Sequence, residues 1–270
     1  MKKIIPAVTL GLAGIVTTAV LATPVNAATK ADDTAAPVQV DNKTPKVHNV
    51  VLVHGAFADG SGWQGVFDRL TAKGYHVSVV QEPETSLADD VAATRRVIAQ
   101  QDGPTVLVGH SYGGAVITQA GNDPKVQSLV YVAALAPDAG EPLGELLQKI
   151  PTPTNDIQPA GDGYLMLNPE KFHADFAADL PARQADFMAQ SQVEISESIL
   201  GDTVTTPAWK TKPSYGIVPG ADMVASPDLE RWMYQRAHSK ITEVPGSSHV
   251  VYISHADKVA SVIEDAAAGR

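Results

Sequence analysis

Thr105-Val106-Leu107-Val108-Gly109-His110-Ser111-Tyr112-Gly113-Gly114-Ala115-Val116-Ile117 passes from an apolar run, through a glycine-rich turn, into an apolar helical pattern. The turn has the form Gly-x-Ser-x-Gly, in the strand, turn, helix setting that gives this short pattern its meaning. Glycines are required there because so sharp a reversal brings side chains into collision with neighbouring backbone. The serine between them is held in strain, with its hydroxyl exposed at the end of the strand. A glycine-rich turn around an idle serine is the plain alternative, and the surroundings of Ser111 must decide between the two.

Outward from this turn, further apolar runs of strand length recur at Asn49 to His54, Tyr75 to Val80, Ser128 to Ala134, Tyr215 to Pro219 and Lys240 to Val244. Short continuous apolar runs suit parallel strands covered on both faces. Helical patterns separate them. One places Trp63, Val66, Phe67 and Leu70 on one face, and another begins at Ser86, with Asp89 at capping-box spacing and Leu87, Val91 and Ile98 following. Strand and helix in alternation imply a doubly wound, mostly parallel sheet of about six strands, whose ligands sit beyond the carboxyl ends of the strands. Between Pro137 and Lys212 the alternation stops, and Leu143 to Ile150, Pro169 to Leu180 and Pro181 to Gln190 look helical, with no strand expected among them. This is an inserted helical cap over residues 138–212.

A serine hydroxyl is a weak nucleophile and needs a base, which in sheets with this turn follows in the chain order Ser, acid, His. His249, in Pro245-Gly246-Ser247-Ser248-His249 after the last strand, stands at the required end of the sheet. The other histidines fit less well: His48 and His76 belong to strands, His110 to the turn, His173 and His238 to helical patterns, and His255 opens the last helix. Two acids lie in suitable loops, Asp222 after Ile217-Val218-Pro219-Gly220-Ala221 and Asp138 after Ala136-Pro137. An oxyanion formed at Ser111 needs backbone N–H donors already in place. Tyr112, directly after the serine, and Ala56, in His54-Gly55-Ala56-Phe57 after the first strand, are the expected pair.

The 270 residues are 44% hydrophobic and 19% charged, an ordinary globular balance, with a formal net charge of −10. An acidic protein of this kind is a poor partner for nucleic acid or anionic lipid. There is no cysteine, which excludes disulfides, a thiol nucleophile and cysteine-bound metal. No H-E-x-x-H, phosphate-binding glycine loop or EF-hand spacing occurs, so neither metal nor dissociable cofactor is expected. Lys2 and Lys3, the apolar run from Ile4 to Ala22 and the small residues up to Ala27 form a secretory signal pattern over residues 1–27. The expectation is a secreted or periplasmic protein, with no stable membrane association after cleavage. Residues 28–46 are small, polar and without periodicity, and are read as a disordered lead. The domain then occupies residues 47–270.

Three stretches carry a resemblance: Val-Leu-Val-His-Gly-Ala-Phe-Ala-Asp-Gly-Ser-Gly-Trp from Val51, Gly-His-Ser-Tyr-Gly-Gly-Ala-Val-Ile from Gly109, and Tyr-Val-Ala-Ala-Leu-Ala-Pro-Asp from Tyr131. They resemble the bacterial α/β-hydrolases related to plant methyl-ester esterases and hydroxynitrile lyases. The resemblance implies the α/β-hydrolase fold, a serine esterase acting on a small-molecule carboxylic ester, and Asp222 rather than Asp138 as the acid. Hydroxynitrile lyases of that family carry a lysine after the catalytic histidine and a threonine in the oxyanion loop, where this chain has Val250 and Gly55. Lyase or cofactor-free oxygenase chemistry on the same residues, and ligand binding with a vestigial triad, are the competing expectations. Leu143, Leu146, Leu147, Phe172, Phe176, Phe187, Met188 and Trp209 of the cap can line a substrate pocket, although packing of the cap onto the body explains them more simply.

Overall fold

A computed structural model describes residues 47–270. The expected signal segment and lead lie outside the described residues. Six parallel strands, β1 (Asn49–Val53), β2 (His76–Val79), β3 (Thr105–His110), β4 (Val126–Val132), β8 (Ser214–Pro219) and β9 (Lys240–Val244), form one sheet. Their order is β2-β1-β3-β4-β8-β9. Every residue of β1, β3 and β8 is buried, as expected of strands covered on both faces. Each fully buried valine or leucine there contributes about 1.5–3 kcal/mol relative to exposure.

The helices of the sheet are α1 (Gln64–Thr71), α2 (Leu87–Ala99), α3 (Gly113–Ala120), α7 (Pro227–Arg236), α8 (Val251–Ser254) and α9 (Ala256–Ala268). Both α3 and α9 pack on β3 and β4 without packing on each other, which puts them on opposite faces; α2 joins α3, and α1 joins α9. Ser86 caps α2 as its sequence predicts: its hydroxyl oxygen accepts from the Asp89 N–H at 3.1 Å. The inward stripe of the first helical region is Trp63, Val66 and Leu70, all fully buried. Phe67, expected on the same stripe, turns its ring partly to solvent at the stripe's margin.

The segment between β4 and β8 holds α4 (Leu143–Gln148), α5 (Pro169–Phe176) and α6 (Ala182–Gln190), near the three expected helices. It also holds a small antiparallel sheet, which the sequence reading did not expect. Strands β5 (Ile157–Gly161), β6 (Tyr164–Leu167) and β7 (Ile195–Ser196) pair in the order β5-β6-β7. The cause is the two-residue turn Asp162-Gly163, with φ of 49° and 82°, the left-handed pair that a type I′ hairpin requires. The insertion is therefore not purely helical. Of its large apolar side chains, Phe172 and Phe176 are fully buried, while Phe187 is 72% exposed.

Candidate active site

The turn after β3 closes only because of its glycines. A Cβ at Gly113 would lie 2.2 Å from the His54 carbonyl oxygen, and one at Gly114 2.2 Å from that of Leu135. Backbone passes this close to backbone on both sides of the serine. Ser111 is driven into the left-handed region, with φ of 51°, a strain of roughly 1–3 kcal/mol for a residue with a side chain. Hydrogen bonds hold it there: its N–H donates to the Val132 carbonyl at 3.1 Å, and its carbonyl accepts from Gly114 and Leu135, each at 3.0 Å. The result is a half-buried serine at the carboxyl end of a central strand.

The loop after β1 lies over this serine. A Cβ at Gly55 would stand 2.5 Å from the Ser111 Cβ, so only glycine allows the loop its place. Ala56 follows at once, and Phe57 adopts a φ of 65°. Among the described residues, neither the Ala56 N–H nor the Tyr112 N–H has an acceptor. The two expected donors are thus both uncommitted, and Tyr112 sits at the N-terminus of α3, where the helix dipole favours negative charge.

His249 is fully buried in the loop after β9. Its Nδ1 donates to Asp222 Oδ2 at 2.6 Å, while Asp222 Oδ1 accepts from the Val224 and Ala225 N–H groups at 2.8 and 2.9 Å. Those three bonds engage both Asp222 oxygens. Asp138, the rival acid, is committed elsewhere: its carboxylate pairs with Lys210 and accepts from the Ala139 N–H, at the surface end of a turn. His255 bonds Ser254 and caps α9, outside this group. The Nε2 of His249 is buried without a hydrogen-bond partner among the described residues, so Asp222 and His249 are joined here while Ser111 is not bonded to either.

Three side chains take up roles at the site that the sequence does not predict. His110 is the first, a buried imidazole whose Nε2 donates to the His249 carbonyl at 3.1 Å and whose ring lies 4.8 Å from that of His249. Burial, then the neighbouring His249, holds it well below the usual histidine range, so it is a neutral fixture. Phe176 of α5 covers the other side of His249, with ring centroids 4.9 Å apart. Ser248, beside His249, is gripped by the insertion: its hydroxyl and N–H both donate to Asp179, at 2.5 and 3.1 Å. A cleft of about 370 Å³ opens beside the His54–Phe57 loop, walled by Phe57, Ser61, Gln184, Phe187, Met188 and Tyr252. Phe187 and Met188, expected as possible pocket residues, do reach it.

A second buried acid group supports the loop from below. His54 Nε2 accepts from the Glu82 N–H at 3.1 Å, which assigns the ring proton to Nδ1, 3.5 Å from Glu84 Oε1. Burial pushes the Glu84 carboxyl from 4.5 up to about 7, against the pull of His54. Between these two values the unfolded chain releases this proton and the folded protein keeps it, so Glu84 removes stability as pH rises through the window. Glu84→Gln should match wild type in Tm below pH 4.5 and become progressively more stable relative to it up to about pH 7. Thermal melts across that range check this, and a Tm difference independent of pH would contradict it.

Residues 50–262 match the model of the alpha/beta hydrolase family. The chain belongs to that family. Among alpha/beta hydrolases, it is 30% identical over 172 residues to a carbendazim hydrolyzing esterase of Nocardioides sp. (strain SG-4G), covering 58% of this chain and 70% of the relative. It is 31% identical over 136 residues to a pyrethroid hydrolase of Sphingobium wenxiniae, covering 43% of this chain and 49% of the relative. The crystal structure of polyneuridine aldehyde esterase superposes with a TM-score of 0.72 at 19% identity, over 81% of this chain and 98% of that one. Its likeness is one of fold.

Proposed function

We propose that this alpha/beta hydrolase is a carboxylic-ester hydrolase working through an acyl-enzyme on Ser111. The observation that carries the reading is the Asp222–His249 bond, set near a half-buried serine in a strained turn and beneath a loop with an uncommitted N–H. In this reading Ser111 Oγ attacks the ester carbonyl carbon as His249 Nε2 takes its proton, and Asp222 stabilises the imidazolium that forms. The carbonyl oxygen, now negative, receives the N–H groups of Ala56 and Tyr112, each donor worth about 3 kcal/mol. His249 then protonates the leaving alcohol, and a water, activated by the same nitrogen, releases the acid. The serine-to-histidine hydrogen bond tightens as substrate arrives, a common feature of such sites.

The names of the relatives, an esterase and a pyrethroid hydrolase, support an ester of moderate size and apolar character. The cleft beside Phe57 suits such a group, with Phe187 and Met188 as its apolar wall. A lyase reading is disfavoured by Val250, buried and apolar where a cation is needed, and by Gly55, where any side chain collides with Ser111. The test is covalent labelling with a fluorophosphonate followed by peptide mapping, beside turnover of an ester series graded in acyl and alcohol size. Label on Ser111 together with ester cleavage is expected. Absence of both would leave a binding protein, and label on another serine would move the nucleophile.

A further inference from the structure

Helix α7 turns Leu229, Glu230, Met233 and Tyr234 inward. One of these is an acid, and it is fully buried. An oxygen of Glu230, an oxygen of Asp222 and a ring nitrogen of His249 all lie within 4.8 Å of one another. No N–H or O–H among the described residues reaches either Glu230 oxygen. A carboxylate so placed, unpaired and next to a second carboxylate, costs several kcal/mol, which the group avoids by keeping its proton.

We propose that Glu230 is a positioning residue of the triad: a neutral carboxylic acid that donates its proton in a hydrogen bond to Asp222 and so fixes the carboxylate that orients His249. This rests on the esterase reading for its kinetic consequence, though not for the protonation itself. The neighbouring acids and the phenol favour a neutral acid. Asp222 faces it from the loop after β8, Glu243 from β9, and Tyr234 from the next turn of its own helix. Arg231 is the nearby cation, and its guanidinium is spent on Glu243 and Asp228, at 2.7–2.9 Å. Burial, followed by the Asp222 charge, pushes the Glu230 carboxyl well above the usual carboxylate range. The same three side chains have the spacing of metal ligands, but both Asp222 oxygens already accept hydrogen bonds, one from His249 itself.

A donor on Asp222 lowers the carboxylate's pull on the His249 proton. Removing it leaves Asp222 a stronger partner for imidazolium, so more acid-side activity is lost. Glu230→Met keeps the volume and loses the donor; Glu230→Gln keeps both, through its amide N–H. The acid limb of the kcat/KM profile in Glu230→Met should move up by roughly 0.5–1 pH unit, with KM unchanged, while Glu230→Gln retains the wild-type limb. Limbs that coincide in all three proteins, or that move equally in both variants, would overturn the proposal. Infrared spectroscopy gives a readout independent of turnover and of the folding of the methionine variant. At neutral pH, wild type should show the C=O stretch of a protonated carboxylic acid that Glu230→Gln lacks, and its absence from wild type would refute the neutral acid even if the esterase reading stands.

Discussion

Ser111→Ala is expected to lower kcat on an activated ester by about a million-fold, the scale seen when a serine or histidine is removed from a triad. The alanine keeps the Cβ and the strained backbone, and the half-buried hydroxyl makes no hydrogen bond within the described residues, so the fold should stay intact. Because the residues act as a unit, His249→Ala should fall by a similar factor, and the double variant little further. Removal of His249 opens a void among Phe176, His110 and Asp222, and that variant should also lose Tm. Single-turnover acylation, measured with the melting curve of each protein, separates lost chemistry from lost structure. A folded Ser111→Ala within tenfold of wild type would remove Ser111 from the reaction.

The second large effect concerns the acid. Asp222→Asn preserves the shape of the loop but takes away the charge that stabilises imidazolium, and its amide can hold His249 in the wrong tautomer. In a serine protease triad the corresponding change costs about ten-thousand-fold, and a loss of that order is expected in kcat here. Asp138→Asn should stay within a few-fold, because Asp138 is tied to Lys210 and Ala139 rather than to His249. The exposed Asp138–Lys210 pair should contribute little to stability as well. Equal acylation rates in Asp222→Asn and wild type, with Asp138→Asn slow, would reverse the assignment.

The central strands β1, β3, β4 and β8 were legible because a parallel strand buried on both faces must be apolar almost throughout, while the half-exposed edge strands β2 and β9 were found by their place in the alternation with helices. Ser111 and His249 were legible as candidates because the chain order of this sheet allows few places for them. Asp222 was preferred to Asp138 as the candidate acid by its place after a late strand, with the family resemblance as independent support, although both lie at strand ends. The hairpin β5–β6 escaped because its strands lie mostly in partial contact with solvent and carry no apolar alternation, with Pro159 inside one of them. Asp162-Gly163 was the available signal. Glu230 was invisible for a different reason: an acid within a polar helix reads as a solvated face, and the groups that make it unusual come from loops eight and nineteen residues away. His110 was hidden in plain view, occupying the variable place of its motif while carrying the backbone of His249 on its ring.

The insertion between β4 and β8 is fastened to the body beside the reacting groups. Thr154 donates to the Met223 carbonyl next to Asp222, the Ser196 N–H donates to the Glu84 carbonyl, and Asp179 grips Ser248 next to His249. Lifting this segment would break bonds to the residues next to Asp222 and His249. Under the proposed mechanism, admission of substrate and readiness of the triad would be two readings of one equilibrium, with a lifted form the less competent. A molecule that wedged the segment upward would inhibit the enzyme without contacting Ser111, and by reciprocity an acyl group bound at Ser111 would weaken that molecule's hold by the same factor.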